Sequence, residues 1–482
     1  MNDFRPVLYV VGVLLCLTSL AMILPIFIDL LNNSQDWKVF LFSSFFTFFI
    51  GIVLIFSFKN PVKKITLRQA FLLTVMSWTA VSFFSSIPFM YSESQLSFTN
   101  AFFESISGVT TTGATVINDL DNLSKGILLW RSLLQWFGGI GIILLALSIL
   151  PMLQVGGMQL FHMESDDPYE KTLPKVSKVV IEIASLYLFL TVSCAILYFL
   201  SGMSGFDAFA HAMTTIATGG FSTSDQSFAK FNSDSIEWIC VIFMILGSLP
   251  FAVYLKSLHG DFKSFFKDDQ IKLFFSLTLL LIIAMTAWLI IISNQSLSIS
   301  IRQSSFNIIS ILTGTGYSST NFNLWGSFGL VILFIIMFIG GCAGSTTGGI
   351  KIFRIQLLFS AGRNQIKKLI QPHGVFITTF NSKPIKEEAF TSVMGFFFLY
   401  IVFFSLSAAF LSFMGIDFLT AISASASAIS NVGPGLGNII GPSGSYATLP
   451  DAAKWTLSLT MMIGRLEIFT ILVLFSKFFW KS

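Results

Sequence analysis

Four short stretches hold the residue types that could do chemistry: "TTTGATV" around Gly113, "IATGGFS" around Gly219, "TGTGYSS" around Gly316 and "SNVGPGL" around Gly433. Each is small and polar, and each is flanked by apolar runs. The donors are Thr111, Thr112 and Gly113; Thr218 and Gly219; Thr315 and Gly316; and Asn431, Val432 and Gly433. They offer backbone carbonyls and a few hydroxyls. Glycine permits φ > 0, which turns successive carbonyls to one side, and small residues let the backbone approach a ligand. Four such loops around one axis would form stacked carbonyl rings that replace an ion's hydration shell. The chemistry expected is coordination of a monovalent cation.

The four stretches share offsets. Phe103, Phe209 and Phe306 lie equally far before the first three glycines, and Ser423 takes that place in the fourth. A second glycine follows in the next apolar run, at Gly138, Gly247, Gly340 and Gly464. One such loop would read as a turn glycine; four with common offsets read as an internal repeat. Each unit is a span, a short outer segment, a glycine loop and a second span. The outer segment is about a dozen residues, short of the roughly 20 that cross a bilayer, so it reads as a re-entrant pore helix. Asp207 in "SGFDAF" and Asp417 in "MGIDFL" sit where such helices begin and are expected as N-caps. Thr99 or Asn100 could serve in the first unit. The third starts near "SISIRQSS", where Arg302 is electrostatically awkward beside a positive helix end. The C-terminal ends of such helices, aimed at the axis, would add partial negative charge for a cation.

The elements that must position these loops are membrane helices. The 482 residues are 54% hydrophobic and 11% charged, against roughly 25% charged in soluble domains, and mean hydropathy is +0.80. The expected class is an all-α polytopic membrane protein, since the apolar runs do not alternate as barrel strands do. Ten apolar segments are candidate spans: 7–31, 37–58, 70–91, 127–150, 179–201, 236–255, 271–293, 324–342, 390–414 and 455–476. The first is too long for a signal-peptide core and reads as a retained helix. Most of the 28 basic residues cluster in alternate connections: Lys59, Lys63, Lys64 and Arg68; Lys171, Lys175 and Lys178; Lys256, Lys263, Lys267 and Lys272; and Lys351, Arg354, Arg363, Lys367, Lys368, Lys383 and Lys386. Arg5, Lys477 and Lys481 join them. By the positive-inside rule that side is cytoplasmic, as are both termini. The opposite loops carry Glu93, Asp119, Asp121, Asp225, Asp234 and Glu237, an acidic surface that mildly attracts cations or is simply solvated. The four cysteines have no paired spacing and the four histidines are scattered, so neither disulfides nor a metal cluster are expected.

A second irregular element interrupts the eighth span. In "IGGCAGSTTGGIKIFR", five glycines with Ser345, Thr346 and Thr347 break the helix between Gly340 and Gly349. One glycine or proline suffices for a kink, and this run is far longer. Gly344, Ser345, Thr346, Thr347, Gly348 and Gly349 therefore read as a polar loop under the pore, a gate, with Lys351 and Arg354 marking its cytoplasmic end. Arg465, in "MMIGRLEIF", follows the repeat glycine Gly464. An arginine within a span faces a cavity or a partner. It is expected either to face the gate, repelling cations or bonding the 344–348 carbonyls, or to pair with Glu467.

Together these motifs, with "WRSLLQWFGGIGIILLALSILP" (Trp130–Pro151), resemble the TrkH/TrkG/KtrB superfamily of bacterial potassium-uptake proteins over essentially the whole chain. The resemblance implies four M1–pore helix–M2 repeats around a pseudo-fourfold pore, preceded by two extra N-terminal transmembrane helices. The implied units are 1–68, the N-terminal pair; 69–151, repeat 1; 152–178, a cytoplasmic linker; 179–256, repeat 2; 257–356, repeat 3 with the gate loop; 357–389, a second linker; and 390–482, repeat 4. It implies K⁺ as the transported ion, a filter at the four loops, a gate at the Gly344–Gly349 loop with Arg465 beside it, and a homodimer in the bacterial inner membrane. It also implies a TrkA-like cytoplasmic ring that binds NAD or ATP. No G-x-G-x-x-G unit exists in this chain, so no organic cofactor is expected, nor a nucleic-acid partner. The fourth loop, "NVGPGLG", lacks the T-x-G form, which implies imperfectly symmetric rings and weaker selectivity. A K⁺/H⁺ or K⁺/Na⁺ symporter is the nearest alternative, although coupling normally needs titratable groups along the path. An intramembrane aspartyl protease would need Asp207 and Asp417 in one site, whereas the repeat sets them apart; the chain is expected not to be an enzyme.

Overall fold

The computed structural model describes residues 4–59, 65–148, 176–293, 295–381, 383–385 and 387–480. Lys63, Lys64, Lys171, Lys175, Lys386, Lys481 and His162 lie outside them, as does the linker 152–178 up to residue 175. Among the described residues the protein is helical, with a single pair of two-residue strands, Thr379–Phe380 and Lys383–Pro384.

Seven helices are long and apolar enough to cross a membrane: Arg5–Leu31, Trp37–Ser57, Leu67–Tyr91, Lys125–Ala146, Lys178–Leu200, Asp269–Ile292 and Glu387–Phe413. The other three apolar segments are broken. Asp234–Ser248 meets Phe251–Leu258 at 89°, and Asp451–Arg465 meets Ile468–Phe475 at 111°. Segment 324–342 holds Gly326–Met337, after which the chain leaves helical geometry until Ile352–Ile370. Glycine content announces only the last of these breaks. The first follows from Pro250, which forces Leu249 into extended backbone with ψ 156°. The second turns on Glu467, held at φ 66°. The helix Ile352–Ile370 also runs well into the stretch expected as a second linker.

Four shorter helices lie between spans: Phe98–Val109, Gly205–Ile216, Leu297–Leu312 and Phe418–Ser430, of 12, 12, 16 and 13 residues. At about 1.5 Å per residue they cannot bridge a roughly 30 Å hydrocarbon layer. Their caps correct the expectations. Asp417 does cap its helix, accepting from the Thr420 amide at 3.0 Å. In the second repeat the cap is Ser204, which accepts from the Asp207 amide at 3.1 Å; Asp207 sits in the first turn and accepts from the Ser204 hydroxyl at 2.8 Å. Ser97 and Ser296 cap the first and third helices, in place of Thr99 or Asn100. Arg302 falls in the second turn of the longest of the four and forms ion pairs with Asp234 and with Glu237, the latter at 3.3 Å. Carboxylates of the neighbouring span thus neutralise it.

One apolar core joins the first and fourth repeats, a second surrounds the second repeat and a third the third. A small cluster of Val7, Val11, Leu15 and Leu73 seats the N-terminal helices on Leu67–Ser85. Two carboxylates lock that pair in place. Asp29 accepts from the Gly126 amide at 2.7 Å, and Asp36 accepts from the Ser124 hydroxyl at 2.7 Å and the Glu93 amide at 3.1 Å. Asp29 thereby satisfies an orphan donor at the start of the helix Lys125–Ser148.

Candidate functional site

Each short helix ends in the same backbone turn. The Thr112 amide donates to the Ser107 carbonyl at 2.8 Å, Gly219 to Thr214 at 2.9 Å, Thr315 to Ser310 at 2.9 Å and Val432 to Ser427 at 3.0 Å. The residue before takes positive φ: Thr111 at 52°, Thr218 at 49°, Gly314 at 71° and Asn431 at 56°. So does the residue after: Gly113 at 85°, Gly220 at 79°, Gly316 at 82° and Gly433 at 103°. In backbone register the second-repeat glycine is therefore Gly220, one residue beyond Gly219. The sequence has two adjacent glycines there, and Phe209 points to the wrong one. Phe103 and Phe306 are fully buried, whereas Phe209 is 46% exposed and Ala210 takes the equivalent place.

These glycines bring the four loops together in cyclic order. A Cβ on Gly113 would overlap the Gly219 carbonyl, one on Gly220 the Thr315 carbonyl, and one on Gly316 the Val432 carbonyl. A Cβ on Gly433 would lie 2.6 Å from the Thr112 oxygen, which returns the series to the first loop. The four loops thus close on themselves, each glycine making room for the next loop's carbonyl. Gly113, Gly220, Gly316 and Gly433 all line one polar cavity of about 240 Å³, with Asp119 and Asp225 at its wall. Behind them, the second-span glycines allow close approach to the short helices. A Cβ on Gly138 or Gly464 would overlap the Val109 or Ile429 carbonyl, and one on Gly247 would lie 2.9 Å from that of Ile216. Gly340 differs: it faces the Gly348 carbonyl of its own broken span.

Several supporting side chains, Asn431 apart, are not singled out by the sequence. Gln135, fully buried, donates to the Gly219 carbonyl at 2.6 Å and accepts from the Phe221 amide at 3.0 Å. A carbonyl has two lone pairs, so one remains for another ligand. Tyr446 donates to the Gly433 carbonyl at 2.8 Å. Asn431 ties loop four to loop one through Thr112 Oγ1 at 3.0 Å. Glu104 and Arg131 form a buried ion pair at 2.8 Å. Glu104 also accepts from the Val116 amide at 2.9 Å, and Arg131 donates to the Ser222 carbonyl at 2.8 Å, so the pair braces the outer ends of loops one and two. Polar residues inside the apolar run "WRSLLQWF" are the signal that could have found Arg131 and Gln135. Glu104→Ala leaves a buried guanidinium without its carboxylate, and a loss of about 3–5 kcal/mol is expected. Thermal unfolding in detergent checks this, with Glu182→Ala, which breaks a more exposed pair to Lys178, expected to stay within about 1 kcal/mol.

The loop after Gly340 is buried throughout and lies against the inner ends of the glycine loops. Thr346 Oγ1 donates to the Gly247 carbonyl at 2.9 Å and accepts from Thr218 Oγ1 at 3.1 Å. A Cβ on Gly348 would overlap the Ser430 carbonyl. Gly344 accepts from the Phe251 amide at 3.0 Å, and Ser345 shares a hydrogen bond with Thr347 at 2.8 Å. Beyond Gly349, held at φ 75°, the Ile350 amide returns to the Phe338 carbonyl at 2.9 Å and closes the loop at its base. Arg465 donates from Nη2 to the Thr346 carbonyl at 2.9 Å, while its Nε and Nη1 have no protein partner among the described residues. Glu467 is not its partner. It pairs with Arg354 at 2.7 Å, and that guanidinium lies 3.7 Å from the Phe396 ring centroid. Lys351 and Arg354, expected to mark a cytoplasmic end, are buried. Asp207 accepts from Ser204 and Thr223, and Asp417 caps its helix; among the described residues neither shares a hydrogen bond with a second carboxylate as a protease dyad would.

The family model for the TrkH cation transport protein matches residues 37–482. The chain belongs to the TrkH family. It is 41% identical to the Trk system potassium uptake protein TrkI of Halomonas elongata, covering all of this chain and 98% of that protein. It is 37% identical to the Trk system potassium uptake protein TrkH of Salmonella typhimurium, covering 99% of this chain and all of that one. The crystal structure of the potassium transporter TrkH from Vibrio parahaemolyticus superposes with a TM-score of 0.92 at 36% identity, each chain fully covered. These family members are transport proteins, not enzymes, and the all-α membrane architecture of the TrkH family is that of this chain.

Proposed function

We propose that this protein carries K⁺ inward through a filter formed by its four glycine loops. The observation that carries the reading is the cyclic closure, in which each positive-φ glycine seats the next loop's carbonyl. The coordinating groups are then Thr111, Thr112 and Gly113; Thr218 and Gly219 with Gly220; Thr315 and Gly316 with Gly314; and Asn431, Val432 and Gly433. One carbonyl level runs through Thr112, Gly219, Thr315 and Val432. Only the backbone is common to all four, so carbonyls rather than threonine hydroxyls set the rings. The short helices end at this level, and their C-terminal partial negative charge favours a cation. Asp119 and Asp225 gather cations at the mouth. The potassium uptake ascribed to TrkI and TrkH relatives fits this chemistry.

The Gly344–Gly349 loop is the gate beneath that filter. Thr346 bridges the second loop's inner end and Arg465, so a cation leaving the filter meets both the loop and a buried guanidinium. Opening requires Thr346 to leave Thr218 and the Gly247 carbonyl. A TrkA-like nucleotide-binding ring on the cytoplasmic side, a homodimer and the bacterial inner membrane complete the picture, with both termini cytoplasmic and the repeats divided as the sequence suggests, except that the helix Ile352–Ile370 carries the third into the second linker. Single-channel recording of the purified protein with K⁺ as the sole permeant cation tests the mode of transport. Steady currents are expected; flux that appears only with Na⁺ or a proton gradient would favour the symporter instead.

A further inference from the structure

One position of the repeat differs in kind. Three residues before the second-span glycines stand Gln135, Met244, Met337 and Met461, all buried. Each methionine belongs to an apolar core that also holds a residue of the next glycine loop: Met244 with Tyr317, Met337 with Val432 and Met461 with Ala114. Those three seams between loops rest on apolar burial, which has no direction. Glutamine has methionine's unbranched shape with a polar end, and at the first seam it makes two directed bonds instead. Nε2 donates to the Gly219 carbonyl at 2.6 Å, and Oε1 accepts from the Phe221 amide at 3.0 Å. One partner accepts and the other donates, so the amide fits in a single orientation. Together the two bonds bridge Gly220, held at φ 79°.

Gly219 is explained by the same contact. Its φ is not positive, unlike that of Gly220, yet a Cβ on it would overlap the Gln135 amide. The "TGG" of the second loop therefore meets two demands: Gly219 admits the glutamine, and Gly220 admits the Thr315 carbonyl. At the carbonyl level of Thr112, Gly219, Thr315 and Val432, only Gly219 receives a side-chain donor among the described residues. We propose that Gln135 is a positioning residue that sets the preference for K⁺ over Na⁺, by fixing the direction of the Gly219 carbonyl. This role rests on the filter reading above. Discrimination depends on the number and field strength of the carbonyl dipoles and on how far they yield to a smaller ion. A hydrogen bond in a low-dielectric interior strengthens the dipole it meets and resists its rotation. A loop seated only on apolar side chains closes more easily around Na⁺.

Rubidium uptake into liposomes, competed by K⁺ or by Na⁺, reads the preference separately from the rate. Gln135→Met gives the first seam the residue of the other three, with little change in side-chain size. It is expected to lower the preference for K⁺ over Na⁺ by about three- to tenfold, the worth of one hydrogen bond. Gly219→Ala reads the same contact in a chain that keeps its glutamine, because the new Cβ displaces the amide; its preference should fall in the same direction. In a Gln135→Ala background, where the side chain is gone, Gly219→Ala should cost little further, since residues that share one contact are not additive. Unchanged preference in Gln135→Met and Gly219→Ala, while Gly316→Val loses its preference or its flux, would overturn the proposal and leave the filter standing. Preference unchanged in all three would take the filter reading down with it. A slower uptake with the preference intact would make Gln135 a structural brace, and that too would overturn the proposal.

Discussion

Gly113→Val is expected to abolish K⁺ flux, or its preference over Na⁺. The position holds φ at 85°, and its Cβ would overlap the Gly219 carbonyl. Strain at such a backbone costs about 1–3 kcal/mol for a non-glycine residue, and the clash adds displacement of an oxygen of the proposed filter. Since 1.4 kcal/mol is about a factor of ten, a fall of roughly ten- to a hundredfold in rubidium uptake is expected. Gly316→Val should behave alike, because its Cβ overlaps the Val432 carbonyl. Gly202→Ala is the control for strain alone: its φ is 103°, but nothing lies within 4 Å, and it should keep its selectivity. In the second repeat Gly220→Ala should do more harm than Gly219→Ala, since the first meets backbone and the second the Gln135 side chain. Unchanged selectivity in Gly113→Val, with normal protein yield, would sink the filter assignment.

Arg465→Gln is expected to raise flux about tenfold or more when the cytoplasmic partner is absent. The guanidinium is buried and holds the Thr346 carbonyl at 2.9 Å. A unit charge about 6 Å from a permeating cation opposes it by roughly 3 kcal/mol at an effective dielectric near 20. Substitution removes both the repulsion and the bond that steadies the loop. Arg465→Lys keeps the charge and should retain most of the block. Deleting residues 344–348 should open the pore further. Rubidium efflux from liposomes loaded with each variant reads the effect, and flux as low as the wild type's in both Arg465→Gln and the deletion would argue against the gate.

The repeat is legible in the sequence because four loops need glycine at one backbone position, and glycine leaves a mark. Its register in the second unit is not, because "TGG" offers two glycines and only φ and the Thr214 carbonyl distinguish them. The break at Gly340–Gly349 announces itself by composition. Those at Leu249 and Glu467 do not, since one proline and one positive-φ glutamate leave the hydropathy of a span intact. Charge is the least legible property. Lys351 and Arg354 count with the cytoplasmic basic cluster and Arg131 stands within an apolar run, yet all three are buried. Arg354 and Arg131 are satisfied by Glu467 and Glu104, carboxylates that only the fold brings near. Arg302 is awkward in sequence for the same reason, and Asp234 and Glu237 resolve it.

The proposed filter selects a potassium-sized ion through its four carbonyl loops. Uptake of radioactive rubidium into liposomes containing only the purified protein, with Na⁺ or K⁺ as competitor, tests it most directly. The predicted result is uptake that excess K⁺ suppresses and equal Na⁺ suppresses far less. Equal suppression by both ions, or no uptake above empty liposomes in the Arg465→Gln variant, would contradict it.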